Sequence, residues 1–301
     1  MHKETRNLLI GAIIVVILMA LGTAFDSPLS RAVINQNSLF GTLFQDFGLF
    51  PVTLIPFLAA EIFAFKALKS QIERPMKIII VTLSFLVAFF MISLMTRDTL
   101  TYFAQWINNV QTHQPIGVAN NDGGSFAYSQ SLKTIVEFVL FIIGTALSYF
   151  WLRNKSVQQL KYLVIVGIAG VAMVYISSTV CDIWKDAWGR ARPYEIINHV
   201  AGSHFTPWYQ LNGTTGHKSF PSGHSNIAWM LVWVTFFVDR SNIKLQKITL
   251  TLTVAFGVLM MVSRLIVGAH HLTDVTVGAL ITILTIVVFA KVLDYKFIEK
   301  L

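Results

Sequence analysis

The sequence predicts an all-α fold, a polytopic bundle of membrane-spanning helices. Three observations carry this reading. Of 301 residues, 54% are hydrophobic and 13% charged, where a soluble domain carries about 25% charged residues. Mean hydropathy is +0.63. The apolar residues fall into eight runs, each close to the roughly 20 residues that one helix needs to cross a bilayer core. The single cysteine, Cys181, excludes an intramolecular disulfide framework and any cysteine-clustered zinc or iron–sulfur site. A net charge of +8 does not mark a nucleic-acid binder, because the basic residues sit in short groups between apolar runs rather than on one stripe.

Taken in order, the runs cover 8–24, 50–67, 76–95, 134–152, 160–180, 222–238, 248–267 and 274–293. The first has basic flanks at Lys3 and Arg6 and small residues at Gly22 and Ala24, features it shares with a cleavable secretory signal. It is read here as a span. The sixth is short and opens on polar residues, so its outer end is expected inside protein rather than lipid. Between the third and fourth runs, Tyr102, Phe103, Trp106, Ile107 and Val110 recur at helical spacing. They predict an amphipathic helix on the interface, or else an ordinary connector over the bundle. Asn120 to Gly124 reads as a turn.

Eight spans put both termini on one side, and the distribution of Lys and Arg decides which. With both termini inside, only eight of the 23 basic residues lie outside: Arg31, Arg97, Lys133, Lys185, Arg190, Arg192, Lys218 and Arg264. Every inner segment is then short and basic. Two outer loops, 96–133 and 181–220, are much longer than the rest, as functional loops often are.

Polar residues beside spans are costly and point to function, and here they cluster in three places at the predicted outer face. Lys185 and Arg192 stand seven apart in KDAWGRARP, about two helical turns, so both cations are expected to address one anion. Pro221-Ser222-Gly223-His224 opens an apolar helix, where free backbone amides and the dipole favour a phosphate-like group. Ser263 to Asp274 places His270 and Asp274 four apart at the mouth of the last span. Each piece alone is an ordinary capping or anchoring pattern. Together they supply three cations, a helix-end anion site and two histidines, the inventory of a phosphoryl-transfer site.

These three segments resemble the signature motifs of the type-2 phosphatidic acid phosphatase superfamily of integral membrane lipid phosphatases, which shares its anion site with vanadium haloperoxidases. Lys185, Arg192 and Pro193 match the first motif; Pro221, Ser222, Gly223 and His224 the second; Ser263, Arg264, His270 and Asp274 the third. The resemblance covers roughly 76–293. It implies a six-span phosphatase core over 76–301, with 1–75 as an added two-span hairpin of unassigned role. It also implies His270 as the nucleophile, forming a phosphohistidine, with Asp274 holding its other ring nitrogen. His224 would donate a proton to the leaving oxygen, while Lys185, Arg192, Arg264, the Ser222 hydroxyl and the Gly223 amide bind phosphate. No metal or other cofactor is expected, since cations surround the phosphate and no carboxylate cluster is present to bind a divalent ion.

The resemblance implies a phospholipid or polyprenyl phosphate substrate: undecaprenyl diphosphate, phosphatidylglycerophosphate, phosphatidate or a lipid A phosphate. The expected setting is the plasma (inner) membrane with the site extracytoplasmic, the bilayer as partner and no nucleic acid. A lipid-linked phosphotransferase using the same intermediate, and an inactive transporter or scaffold relative, are the alternatives. Arg190, His271, Asp186, His217 and Lys218 lie off the signature positions and read as solvated or supporting side chains. Glu61 and Glu137 stay unassigned, and Trp184, Trp188, Trp208 and Tyr209 read as an interfacial aromatic belt.

Overall fold

The computed structural model describes residues 3–118 and 128–299, so the turn expected at 120–124 lies outside the described residues. The chain folds as helices α1 (Lys3–Val33), α2 (Leu39–Phe47), α3 (Pro51–Lys69), α4 (Arg74–Gln111), α5 (Gln130–Leu152), α6 (Val157–Trp188), α7 (Pro193–Ile197), α8 (Gly223–Met230), α9 (Ile243–Ile266) and α10 (Leu272–Val292), with a 3-10 stretch at Leu231–Phe237. The starts follow from local chemistry. Pro51 opens α3, where the missing N–H has no partner to lose. Ser156 and Gln159 form a capping box on α6, and Ser38 caps α2 through Gly41 N–H.

Seven helical stretches among the described residues are long and apolar enough to cross a membrane. The remaining predicted run, 222–238, is built differently. Eight residues of α8 pass into seven of 3-10 helix, and Trp233 and Phe236 within it are fully buried. This segment is therefore enclosed by protein along its length, as its polar opening foretold for one end. The apolar spacing at 102–110 does belong to a helix, but as the last turns of the 38-residue α4, continuous with the third run. Gln105 and Asn109 face inward there and donate to the Val118 carbonyl, each at 2.8 Å.

At the centre, α3 packs against α4 and α6. Ile55 and Ile62 of α3 meet Leu163, Val166 and Met173 of α6, with Trp233 alongside. Lipid tails are as apolar as leucine, so helices in a membrane associate through close packing and interhelical hydrogen bonds rather than by leaving water. Both devices are present. A Cβ on Gly167 would press on Ala59, and one on Gly170 would strike Trp233 and Ile55. The Asn226 amide donates to Ser177 and Thr282 hydroxyls at 2.8 Å each, tying α8 to α6 and α10. The outward faces of α1, α4 and α5 carry Ile13, Ile17, Leu83, Phe90, Ile142 and Leu147 exposed, the surface that a bilayer covers. At the opposite end of the bundle from the three motifs, Lys155 and Asp239 join two short loops at 2.6 Å.

Candidate active site

The three motifs fall at one end of the bundle because they sit at the end of α6, the start of α8 and the junction of α9 with α10. Helix α6 does not carry Arg192 on its own face, as continuous helical spacing from Lys185 would require. It stops at Trp188, with Gly189 in the left-handed region at φ 48°. A side chain there would also collide with the Gly213 carbonyl and Thr215. Arg192 instead caps α7. It approaches the same anion site from a loop, reaching the Lys218 carbonyl at 3.5 Å.

Lys185 extends from the last turn of α6 to α8, where a Cβ on Gly223 would lie 2.8 Å from its Nζ. Glycine leaves room for that approach. Lys185 also pairs with Asp182 at 2.9 Å on the exposed side. Ser222 is fully buried and caps α8, its Oγ accepting from the Ser225 N–H at 3.3 Å. His224 follows in the first turn, its ring 5.9 Å from that of Tyr102 on α4. Lys185, Arg192 and Arg264 all act electrostatically on His224. Arg264, on the last turn of α9, is wholly buried. Its Nη2 donates to Gln45 Oε1 at 2.8 Å. Its Nε and Nη1, like His224 Nε2 and the Ser225 hydroxyl, are buried without a protein partner. Buried donors of this kind are rare and call for a partner of opposite character. A phosphate group among Lys185, Arg192 and Arg264 supplies one.

His270 is buried between α9 and α10. Its Nδ1 lies 2.7 Å from the Ser219 carbonyl, whereas the Asp274 carboxylate is 3.9 Å away. The expected direct grip of Asp274 on this ring is therefore replaced by a carbonyl grip, with the carboxylate close behind. Burial pushes the imidazole well below the ordinary histidine range, and Arg192 and Arg264 push it further. A neutral ring is the form a nucleophile needs.

Asp274 is held by three donors and a helix start. Arg190 Nη1 donates at 2.5 Å, the Ser219 hydroxyl at 2.6 Å and the His271 backbone N–H at 2.8 Å, and the helix start of α10 supplies its dipole. Arg190 is fully buried rather than solvated. Its Nη2 donates to Asp26 on α1 at 3.0 Å. Asp26 also accepts from the Thr273 N–H at 3.1 Å and from the Thr273 hydroxyl. His271 is buried as well, with Nδ1 3.0 Å from the Ser30 hydroxyl of α1. Burial and then the Arg190 charge lower its pKa to about 3.

Sequence reading missed Asp26, Gln45, Asp46 and Ser219. Asp46 is buried beside Arg264 with neither carboxylate oxygen hydrogen-bonded by protein. An acidic residue just past the first apolar run, Asp26, and one just ahead of the second, Asp46, were the available signal. The other off-signature residues stay peripheral: His217 meets Glu195 at 3.1 Å and Lys218 meets Asp186 at 3.4 Å. Trp184 stacks on Trp188, which leans on the buried Phe220 with Trp208. Glu61 accepts from Thr145 at 2.8 Å, and Glu137 pairs with Lys133 and Ser93, away from the site.

Fold and site together define a multi-pass helical membrane protein with a twin-histidine, three-cation anion centre. Comparison with known proteins bears on the family. Residues 159–298 match the PAP2 superfamily, and this match, with the relatives that follow, supports the type-2 phosphatidic acid phosphatase superfamily. It is 29% identical to a lipid A 1-phosphatase of Rhizobium etli over 163 residues, 52% of this chain and 64% of the relative. It is 30% identical to a lipid A 1-phosphatase of Rhizobium johnstonii over 162 residues, 52% and 61% respectively. A lipid A 4'-phosphatase of Rhizobium etli is 35% identical over 112 residues, 37% and 41%. The chain thus spans less than two thirds of the length of each of these relatives. No solved structure matches it significantly.

Proposed function

We propose that the protein is a membrane phosphatase that removes phosphate from a lipid phosphate or diphosphate, without a metal. Its site faces the extracytoplasmic side of the plasma (inner) membrane. The observation that carries this reading is the convergence of Arg192 and Arg264 on His224 and His270, with Lys185 also acting on His224, and with buried Arg264 and His224 nitrogens left without protein partners. Similarity to lipid A phosphatases favours a lipid A phosphate within that class. The acyl chains stay in the bilayer while the headgroup reaches the end of the bundle.

In the first step the lone pair of His270 Nε2 attacks phosphorus and the P–O bond to the lipid breaks. The leaving oxygen takes a proton from His224, which enters the step as the imidazolium, its charge offset by the bound phosphate. The ring becomes a cationic phosphohistidine, and Asp274 with the Ser219 carbonyl stabilises its charge. In the second step His224 takes a proton from water, whose oxygen attacks phosphorus and returns the electron pair to Nε2. Lys185, Arg192, Arg264 and the Gly223 amide hold the equatorial oxygens where charge accumulates. In this reading 76–301 is the six-span phosphatase core and 1–75 a two-span hairpin packed against it.

The test is phosphate release by the purified protein from lipid A, phosphatidate, phosphatidylglycerophosphate and undecaprenyl diphosphate with EDTA present. Release with inhibition by orthovanadate is expected. Silence on every substrate, or rescue by magnesium alone, sinks the proposal.

A further inference from the structure

We infer that Asp26, on the amino-terminal helix α1, is a positioning residue of the phosphoryl-transfer centre, acting on His270 through Arg190 and Asp274. The inference rests on the phosphatase reading above, since it concerns how that reaction's nucleophile is supported. Asp26 lies outside the residues that match the family, 159–298.

The geometry is a buried chain of three charges. Arg190 is 0% exposed, between Asp26 at 2% and Asp274 at 0%. It spends its donors on Asp26, Asp274, the Thr273 hydroxyl at 2.8 Å and the Thr206 carbonyl at 2.8 Å. With both carboxylates ionised, as the donors from Arg190, Ser219 and His271 favour for Asp274, one cation shared by two carboxylates leaves the group with a net charge of one negative unit. That surplus lies on the Asp274 side of His270, whose other charged neighbours are Arg192 and Arg264. When His270 takes phosphorus its ring becomes cationic, and the surplus negative charge is then the counterweight to two nearby arginines.

Asp26 does this in two ways. It shares Arg190, which keeps the guanidinium from neutralising Asp274 outright and leaves Asp274 free to hold the Ser219 hydroxyl and the His271 N–H. It also grips Thr273 N–H in the first turn of α10, fixing the helix start that His270 precedes. Close packing keeps the contact short: a Cβ on Gly22, one turn before Asp26, would run into Thr273.

Charge counting makes the inference testable. Asp26→Asn neutralises the group and lets Arg190 close fully on Asp274. Arg190→Gln leaves two like charges buried with no cation between them. The double variant restores the wild-type charge of one negative unit. Residues that share a buried network depart from additivity in this way, whereas independent structural damage accumulates.

The experiment uses the full chain in detergent micelles, measuring melting temperature together with kcat and KM for phosphate release from a lipid phosphate. Asp26→Asn is expected to lower kcat roughly 10- to 100-fold with KM changed less than about threefold, the range lost when an outer hydrogen-bonding partner of a site is removed. Arg190→Gln should lose more and melt lowest. The double variant should melt above Arg190→Gln and recover at least about tenfold of its lost kcat. Additive losses in both measurements, or Asp26→Asn within about twofold of wild-type kcat, overturn the inference while the phosphatase reading stands. A wild-type protein that releases no phosphate overturns that reading and this inference with it.

Discussion

The backbone carbonyl of Ser219 lies 2.7 Å from Nδ1 of His270. A carbonyl only accepts, so this contact places the proton on Nδ1 and leaves the lone pair on Nε2. Ser219 is itself anchored, its N–H donating to the Arg190 carbonyl at 2.9 Å and its hydroxyl to Asp274 at 2.6 Å. The loop that leads into α8 thus orients the ring of His270, the proposed nucleophile, ahead of α10.

This geometry predicts where phosphorus goes. Labelled phosphate trapped from a lipid substrate should sit on Nε2 of His270, acid-labile and base-stable, and His270→Ala should abolish turnover while leaving the melting temperature near wild type. Mass spectrometry and phosphorus NMR of the trapped protein decide the position. Label on Nδ1, or on Ser222, would contradict the tautomer or the nucleophile.

The two histidines should separate by leaving group. A general acid contributes roughly 100- to 10,000-fold, and only where the departing oxygen needs a proton. His224→Ala is therefore expected to cripple hydrolysis of a lipid monophosphate and largely spare p-nitrophenyl phosphate, whose phenolate leaves unaided. His270→Ala should be dead on both. Equal losses on the two substrates in His224→Ala would reassign His224 to phosphate binding.

Acid should loosen the contact between α1 and α10. His271 has its pKa lowered from 6.5 to about 3 by burial and then by Arg190. The unfolded chain takes up the proton first, so stability is complete above about pH 6.5 and falls as the pH drops toward 3. At pH 5 the loss from this group is about 2 kcal/mol, at 1.36 kcal/mol for each unit of pH. The melting temperature should drop between pH 7 and pH 5, and His271→Gln should reduce that drop. Identical drops in both proteins would remove His271 from the account.

Orientation is open to a chemical test. His204 and Lys244 are exposed at opposite ends of the bundle, and the native Cys181 is buried. An impermeant thiol reagent on intact cells should label His204→Cys, and should label Lys244→Cys only after permeabilisation. The reverse pattern would place the site in the cytoplasm.

The composition, the eight apolar runs and the eleven motif positions from Lys185 to Asp274 were all legible in the sequence. Each is a local property: a span depends on its own hydropathy, and a catalytic motif keeps its spacing because a helix end must present those groups together. The sequence by itself therefore determined the all-helical class and pointed to the family, and it singled out both histidines as candidates. Other relationships join residues far apart in the chain, and no local pattern encodes them. Asp26 meets Arg190 across 164 positions, and Gln45 meets Arg264 across 219. Only packing decided that Arg190 and His271 are buried, that the Ser219 carbonyl stands closer to His270 than Asp274 does, and that 222–237 is enclosed by protein. The physical reason lies in desolvation. A buried charge must find its partner within a few ångströms, and which partner is within reach depends on how α1, α2 and α10 pack at one end of the bundle.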